Sequence, residues 1–551
     1  MILLQRLNKF VTIKKILSPN QIGFFKGYST SDHIFLLQTM IEKSVKKNKS
    51  KLYTAFIDFT KAYDTVDRQL LFDRLKDLGI NGPFLKNVKS MYENTKYSIK
   101  LKHGYMDALD SNLGLKQGCP LSPLLFNLYI DDMDKIFHNQ CDPLKLKGVD
   151  INNFLYADDL VLISGSPEGL QKCLNNLHDF TKRKELSISV KKSKTLIFNP
   201  AGRFMKTRFK LDQETLEPVQ SFCYLGFDLR ASGTVKTAMN NLHDKANKAM
   251  RPLMNVISRF NLPVQTSLRL FHTYISPISL YSVENWITLT DKELRVATNE
   301  TLFTDLGSKT DILHRKFLKF LLGTSKSCQN IMIYGETNET PLSLKGFRLM
   351  VNYWHRITSF PDHTLVKMAL LENIHLRTNW IKTIEKLMNW CNLTNLIDNH
   401  TMLRKASLNN SRSKFIDSWT NTLRNPDMPK MDFYKTIKNK FTFEKYLDLP
   451  NFTDRQIITK FRCSDHKLEI ERGRYNGILR TERICKLCTD NVIENEEHFL
   501  VGCNFYDQLK GKHNLSAMTN VNNFMANLDP VKLAKYLTEA FQIRQMRLEE
   551  I

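Results

Sequence analysis

Two adjacent aspartates that interrupt an apolar stretch are the residues of this sequence best suited to chemistry. Asp158 and Asp159 lie in the middle of FLYADDLVLIS (154–164), and the residues on both sides are too apolar for a surface loop. This pattern predicts a β-hairpin with the two acids at its tip. Because buried adjacent carboxylates are unfavourable without a counter-charge, the pair also predicts a bound cation.

A third acid, Asp58, lies near the end of LYTAFIDF (52–59), which is almost entirely apolar or aromatic and is predicted to be a central, buried strand. Three carboxylates suit the oxygen-only coordination of Mg²⁺, and two such ions could activate an attacking hydroxyl and stabilise a leaving pyrophosphate. The alternative for any Asp-Asp pair is a solvated turn, which the apolar flanks disfavour. Asp131 and Asp132 are rejected as a catalytic pair, because neighbouring side chains of their predicted helix point about 100° apart.

Three cysteines and a histidine form a second possible metal site. Cys485, Cys488, His498 and Cys503 have the spacing C-x₂-C-x₉-H-x₄-C. Three thiolates and one imidazole suit a closed, tetrahedral and therefore structural zinc site. The pair Cys463 and His466 is a rival for these ligands and is placed second, because it lies about 20 residues earlier.

The composition favours an intracellular protein with a polyanionic partner. The chain has 80 Lys and Arg against 56 Asp and Glu, a formal charge of +24, and this charge is spread over the whole length. A generic basic protein is the alternative that composition leaves open. The other cysteines lie far apart, which is typical of a reducing compartment. With neither a signal peptide nor an apolar run long enough for a membrane span, we expect the nucleus or cytoplasm and no membrane partner.

Strand and helix patterns mix in the first part of the chain and helical patterns dominate the rest. Basic helices are predicted over 1–17 and about 30–46, and a further helix closes on Gly79. A turn at 114–123 precedes a helix with Ser122 as its N-cap and Pro123 at its first position. From about 234 onward the spacing is mainly helical. The predicted fold class is α+β.

Five sequence blocks, in order, resemble the reverse transcriptases of non-LTR (LINE-type) retrotransposons. They are QIGFFKGYSTSDHI (21–34), FIDFTKAYD (56–64), GLKQGCPLSPLLFNLYI (114–130), YADDL (156–160) and YLG (224–226). The resemblance implies an RNA-directed DNA polymerase that adds deoxynucleotides to a primer 3′-OH, with an RNA template, a DNA primer and deoxynucleoside triphosphates as partners. The tract around the C-terminal cysteines is similar to the zinc knuckle that follows many such polymerases.

The resemblance also implies roles for individual residues. The catalytic and magnesium-binding acids are Asp58, Asp158 and Asp159, with Lys192 in SVKKSK as the group that protonates the leaving pyrophosphate. Tyr63 would exclude ribonucleotides by collision with their 2′-OH, and the Phe59 carbonyl would contact a metal. The remaining positions contact the incoming nucleotide or the primer end: Gln117, Gly118 and Tyr156 for the nucleotide, and Tyr224, Leu225 and Gly226 for the primer grip.

The implied architecture is a right-hand polymerase with fingers, a palm containing an antiparallel sheet, and a helical thumb, followed by a mainly helical region and a small zinc knuckle. The expected divisions are fingers and palm over 1–233, a helical thumb-like region over 234–330, a helical linker region over 331–465 and a zinc-knuckle region over 466–551. No oligomeric state is predicted.

Two positions depart from the family pattern: Phe25, where Arg is usual, and Ser189, where Asn is usual. The chain also starts close to the first of the five blocks, so we expect an N-terminally truncated or degenerate copy. A catalytically incompetent RNA-binding remnant is therefore a rival hypothesis to the polymerase. A group II intron-type maturase is a second rival, and an RNA-dependent RNA polymerase, which Tyr63 disfavours, is a third.

Overall fold

The computed structural model of the chain describes residues 1–137, 141–290, 293, 308–394, 400–425 and 427–550. Part of the predicted thumb-like region, 294–307, lies outside the described residues. The strands are β1 Leu52–Ile57, β2 Lys96–Tyr97, β3 Lys100–Leu101, β4 Gly104–Tyr105, β5 Leu109–Asp110, β6 Leu144–Leu146, β7 Val149–Ile151, β8 Asn153–Tyr156, β9 Asp159–Ser164, β10 Lys194–Phe198, β11 Phe209–Leu211, β12 Glu214–Pro218, β13 Ser221–Tyr224 and β14 Phe227–Arg230.

The described α-helices are α1 Ile2–Lys14, α2 Thr30–Ile41, α3 Arg68–Asp77, α4 Gly82–Ser90, α5 Ser122–Tyr129, α6 Pro167–Arg183, α7 Lys236–Phe260, α8 Val264–Leu270, α9 Ser276–Ser279, α10 Val283–Trp286, α11 Lys309–Leu322, α12 Asn330–Thr337, α13 Leu342–Thr358, α14 Leu365–His375, α15 Asn379–Trp390, α16 His400–Arg424, α17 Asp432–Ile437, α18 Phe452–Arg462, α19 Glu469–Tyr475, α20 Asp507–Lys512 and α21 Pro530–Glu550. Short 3₁₀ or π segments join several of them. The prediction of a mainly helical second part is confirmed.

A six-stranded sheet in the order β11-β12-β10-β1-β9-β8 is the centre of the first part of the chain. All six residues of β1 are buried, which confirms the prediction of a central strand. β1 pairs antiparallel with both β9 and β10, as expected for an antiparallel palm sheet. One pair differs: β10 and β12 run parallel at Lys194–Glu217 and Thr195–Pro218.

Helix α6 packs on this sheet through a stripe of apolar residues at helical spacing. Leu170, Cys173, Leu174, Leu177 and Phe180 are buried on one side of the helix. Its N-terminus is fixed by Ser166, whose side chain accepts a hydrogen bond from the Gly169 amide. The stripe joins the same apolar core as the inward residues of β1 and β9, so the edge from which the acids project is well supported.

The start of α5 corrects one prediction. Leu121 is the N-cap and Ser122 is the first helical residue, with Pro123 behind it. The Ser122 hydroxyl donates to the Lys116 carbonyl at 2.8 Å, so it is engaged by the preceding turn and does not cap the helix. The helix also ends at Tyr129, and a 3₁₀ segment, Asp131–Phe137, continues the chain.

Contacts between residues divide the chain into two compact units. The first comprises Met1–Met239, Glu284–Thr290 and Tyr353–Glu385, and the second comprises Asn240–Val283, Asp291–Asn352 and Lys386–Ile551. In the first unit, Arg356 pairs with the fully buried Asp32 carboxylate. Residues 353–385, which fall inside the predicted 331–465 region, thus belong to the first unit.

In the second unit, a buried ion pair lies at the centre of the core. Glu336 accepts hydrogen bonds from Arg462 at 2.8 and 3.1 Å, from Tyr434 at 3.0 Å and from Tyr446 at 2.6 Å. Burial alone would raise the pKa of Glu336, but the Arg462 charge and these hydrogen bonds lower it below its ordinary value. The carboxylate is therefore ionised and fully paired.

Among the described helices, none combines the length and the apolar character needed to cross a membrane.

The buried histidine of α2 predicts a pH dependence of stability. His33 is 0 % exposed, and burial lowers its pKa to about 3. In the unfolded chain, His33 takes up a proton below about pH 6.5, whereas in the folded chain it stays neutral. The free energy of unfolding therefore has its full value above that pH and decreases as the pH falls. We expect the stability difference between wild type and His33→Gln to narrow by about 1.4 kcal/mol between pH 7.5 and 5.5.

Urea unfolding at both pH values measures this difference. The unfolding is monitored by hydrogen exchange of the peptides that contain β1 and β9. His363→Gln, at an exposed position, is the control and should show no such change. A difference for His33→Gln that does not vary with pH would contradict the prediction.

Candidate active site and cysteine cluster

The β8–β9 hairpin presents two acids at its tip, as predicted. Tyr156 and Asp159 are the last paired residues, and Ala157 and Asp158 form the turn between them. Ala157 has a φ of 58°, the left-handed conformation that two-residue hairpin turns require. The turn therefore holds Asp158 beside Asp159 at the edge of the sheet.

Asp58 directly follows β1, the strand next to this hairpin. The pairing of Ile57 with Leu160 puts Asp58 and Asp159 at adjoining positions on neighbouring strands. The main chain of Asp58 is fixed on its other side: its amide donates to the Ser193 hydroxyl at 3.1 Å, and its carbonyl accepts from the Ser189 amide at 2.8 Å. Ser189 acts through its backbone, so the departure from the family's Asn leaves this contact intact.

The charges of neighbouring carboxylates affect the protonation of Asp158 and Asp159. Desolvation, followed by the charges of Asp158 and Asp58, raises the pKa of Asp159 to about 6. Desolvation is also the largest cause that raises the pKa of Asp158, and Asp58 adds to it. Asp58 Oδ2 has no hydrogen-bond partner among the described residues, although Lys192 Nζ lies 3.4 Å away. Raised pKa values and an unpartnered oxygen are expected where acids lie close together with little positive charge beside them.

Gln21 holds the acidic turn in place, a role that the sequence did not reveal. Its side chain accepts a hydrogen bond from the Ala157 amide at 2.9 Å and donates to the Ala157 carbonyl at 3.2 Å. Gly23 lies so close to the turn that a Cβ on it would be 2.2 Å from the Ala157 nitrogen. Asn127 in turn donates to the Gly23 carbonyl at 2.8 Å. The QIGFF block thus supports the turn that carries Asp158.

Tyr63 lies near the acids with its hydroxyl group unpartnered among the described residues. Its ring stacks on Phe126 with centroids 4.7 Å apart, and burial and the Asp158 charge raise its pKa above the ordinary value. In the same region, Gln117 donates to Asp64 at 2.9 Å. Gly118 has a φ of 79° and open space around its Cα, and so it leaves the turn accessible.

The YLG segment forms the turn of a second hairpin. Tyr224 and Phe227 close the β13–β14 pair, and Leu225 and Gly226 have φ values of 46° and 79°. The Tyr224 hydroxyl lies 3.4 Å from His33 Nδ1, and burial and then the Asp159 charge raise the pKa of Tyr224. The charge of Asp159 therefore acts on a residue at the start of this turn.

Two further predicted residues have partners of their own. Tyr156 contacts the ring of His33 with centroids 5.8 Å apart, and the buried Phe59 forms an isolated β-bridge with Ile188. The rejected acids do not converge: Asp131 accepts from the Ser18 amide at 2.9 Å, and Asp132 pairs with Lys184 at 3.0 Å.

The four predicted zinc ligands come together in the second unit. One ligand atom from each of Cys485, Cys488, His498 and Cys503 lies within 4.8 Å of the others. The Cys485 amide donates to the Val492 carbonyl at 2.8 Å, which closes the loop that carries the first two cysteines. The hydrogen bond between Cys485 and Cys503 lowers the pKa of Cys485 and raises that of Cys503.

The rival pair, Cys463 and His466, is not part of a group of possible metal ligands among the described residues. His466 Nε2 lies 3.0 Å from Glu496, and Cys463 is buried.

Comparisons with known proteins agree on the first part of the chain. Residues 1–229 match the family described as reverse transcriptase (RNA-dependent DNA polymerase). The Pol polyprotein of the type-1 retrotransposable element R2 from Nasonia vitripennis is 26% identical over 262 residues, 45% of this chain and 25% of the relative. The probable RNA-directed DNA polymerase from transposon BS of Drosophila melanogaster is 25% identical over 291 residues, 51% of this chain and 31% of the relative.

The chain thus spans about a quarter to a third of the length of these two relatives. Among solved structures, that of apo telomerase from Candida tropicalis matches 75% of this chain and 59% of its own, with a TM-score of 0.34 and 11% identity.

The close approach of Gly23 to the Ala157–Asp158 turn predicts a position that is sensitive to substitution. Because a Cβ would lie 2.2 Å from the Ala157 nitrogen, Gly23→Ala must displace backbone, and we expect a loss of about 1 to 3 kcal/mol in the free energy of unfolding. Gly511→Ala is the control, since nothing lies within 4 Å of its added Cβ. Urea unfolding compares the two variants, and equal stabilities would refute the prediction.

Proposed function

Because residues 1–229 are a reverse transcriptase domain of the kind found in non-LTR retrotransposon polymerases, we propose that this chain is an RNA-directed DNA polymerase. It would add deoxynucleotides to a primer 3′-OH along an RNA template. The observation that carries the proposal is the convergence of Asp58, Asp158 and Asp159. Besides desolvation, the Asp58 charge raises the pKa of both Asp158 and Asp159.

The residues present fit two magnesium ions. The side chains of Asp58, Asp158 and Asp159 offer only carboxylate oxygens, which are the donors that magnesium prefers. Asp58 Oδ2 has no hydrogen bond from the described residues. When bound, the ions would lower the pKa of the primer hydroxyl and stabilise the charge on the leaving pyrophosphate. Asp58 and Asp158 would hold them, with Asp159 and the Phe59 carbonyl as further oxygen donors.

The chain's other residues would position the substrates and move one proton. Lys192 is exposed and lies next to Asp58, which suits a general acid that protonates the pyrophosphate as it leaves. Gln117, Gly118 and Tyr156 would contact the incoming nucleotide. The Tyr224–Leu225–Gly226 turn would hold the primer end, and the Tyr63 ring would exclude a 2′-OH.

The net charge of +24 supports binding of the RNA template and the growing hybrid. The helices after residue 236 would provide the thumb-like and linker regions. The cysteine cluster would hold one zinc ion in a closed site: Cys488 Sγ already lies 3.4 Å from His498 Nε2, and four protein ligands leave no position for a substrate.

Primer extension on an RNA template tests the polymerase proposal. Wild type should make DNA only with Mg²⁺, and Asp158→Asn should reduce the rate by at least about a hundredfold, the order of effect seen when one electrostatic group of an active site is removed. Asp107→Asn, an exposed acid of the first unit, should retain the wild-type rate. Failure of wild type to extend the primer while it still binds RNA would favour the non-catalytic remnant.

Substitution of Tyr63 tests the sugar selectivity. Tyr63→Ala should increase incorporation of ribonucleotides relative to deoxynucleotides by about tenfold or more, because a steric clash of this size is worth roughly 1 to 3 kcal/mol. Tyr63→Phe keeps the ring and should keep the selectivity. Tyr97→Ala, at an exposed tyrosine, is the control. Unchanged selectivity in Tyr63→Ala would show that Tyr63 does not exclude ribonucleotides.

A further inference from the structure

Two histidines and a glutamate of the second unit form a cluster outside both sites described above. One nitrogen of His272, one of His314 and one carboxylate oxygen of Glu339 lie within 4.8 Å of one another. The Nε2 atoms of His272 and His314 are 2.9 and 3.5 Å from the same oxygen, Glu339 Oε2. Ligand atoms of a tetrahedral zinc ion, with bonds of about 2.0–2.1 Å, lie roughly 3.3 Å apart, so these separations need little adjustment.

Three elements bring the cluster together. His272 lies in the π-helical turn Phe271–Ile275 between α8 and α9, His314 lies on α11, and Glu339 follows α12. π-turns inside helices are frequent at functional sites. Phe271 stacks on the His314 ring with centroids 5.2 Å apart and an angle of 16° between the planes. The orientation of that imidazole is therefore fixed by packing.

His314 is the residue that points to a ligand. Its side chain is 0 % exposed, and neither ring nitrogen has a hydrogen-bond partner among the described residues. Buried polar atoms are nearly always hydrogen-bonded, so a histidine present only for packing does not explain this arrangement.

Glu339 is held in place by its hydrogen bond with His272. The residue before it, Asn338, has a φ of 57° and accepts a hydrogen bond from Arg412 at 2.7 Å. A cavity of about 150 Å³ reaches His272 and Glu339 and provides an entry path for an ion.

We propose that His272, His314 and Glu339 bind a divalent transition-metal ion, with zinc as the expected occupant. Two imidazoles and one carboxylate suit zinc and disfavour magnesium, which prefers oxygen ligands only. Three protein ligands leave the fourth position of the tetrahedron to an exchangeable water molecule. This site does not depend on the polymerase function and is separate from the cysteine cluster.

Cobalt substitution of the full chain tests the proposal, because Co²⁺ reports its ligands in its absorption spectrum. Excess Mg²⁺ is present throughout, so that the aspartate site does not take up cobalt. Wild type should bind one cobalt ion at each cluster, and only the cysteine cluster should give a thiolate-to-cobalt charge-transfer band. Cys488→Ser should weaken that band and leave the visible absorption of a nitrogen and oxygen site.

His272→Ala and Glu339→Gln should each lose one equivalent of cobalt and keep the charge-transfer band. His375→Ala, at an exposed histidine, should bind as wild type. Should His272→Ala fail to fold by circular dichroism, Glu339→Gln decides, because it keeps the size and hydrogen-bonding capacity of the side chain. Wild-type cobalt binding by Glu339→Gln, or loss of all cobalt absorption in Cys488→Ser, would overturn the proposal.

Discussion

The repulsion between carboxylates that the fold holds side by side is the constraint on which the first unit depends. Besides desolvation, the Asp58 charge raises the pKa of Asp158, and the Asp158 and Asp58 charges raise that of Asp159, so the sheet must oppose the separation of the three acids. It does so with a fully buried β1 beneath them and with hydrogen bonds from both sides. Ser189 and Ser193 hold the backbone of Asp58, and Gln21 holds that of Ala157. These hydrogen bonds fix the backbone at two of the positions from which the acids project.

The parts of this arrangement that depend on local sequence could be predicted, because they follow from apolar patterns and turn chemistry. The buried β1 and the hairpin around Asp158 are of this kind. The cap of α5 was misplaced by one residue, because the Ser122 hydroxyl bonds to the Lys116 carbonyl, a contact that depends on the path of the preceding turn. Gln21 and the cluster of His272, His314 and Glu339 could not be found, since their partners lie far away in sequence and no spacing rule links them.

Three sets of donor atoms in one chain differ in the metal that they select. The aspartates offer hard oxygen atoms, the cysteine cluster offers soft sulfur, and the histidine pair with Glu339 lies between these extremes. Each proposed site therefore has a chemical reason not to compete with the others.

The buried ion pair of the second unit has a consequence for how this protein is made. Glu336 and Arg462 are 126 residues apart in the chain, so a ribosome releases the carboxylate well before the guanidinium that stabilises it. At synthesis rates of about 5–20 residues per second, this interval is on the order of 6 to 25 s. During that time Glu336, Tyr434 and Tyr446 cannot form their final core. The core around Glu336 therefore completes its folding only after Arg462 has been synthesised.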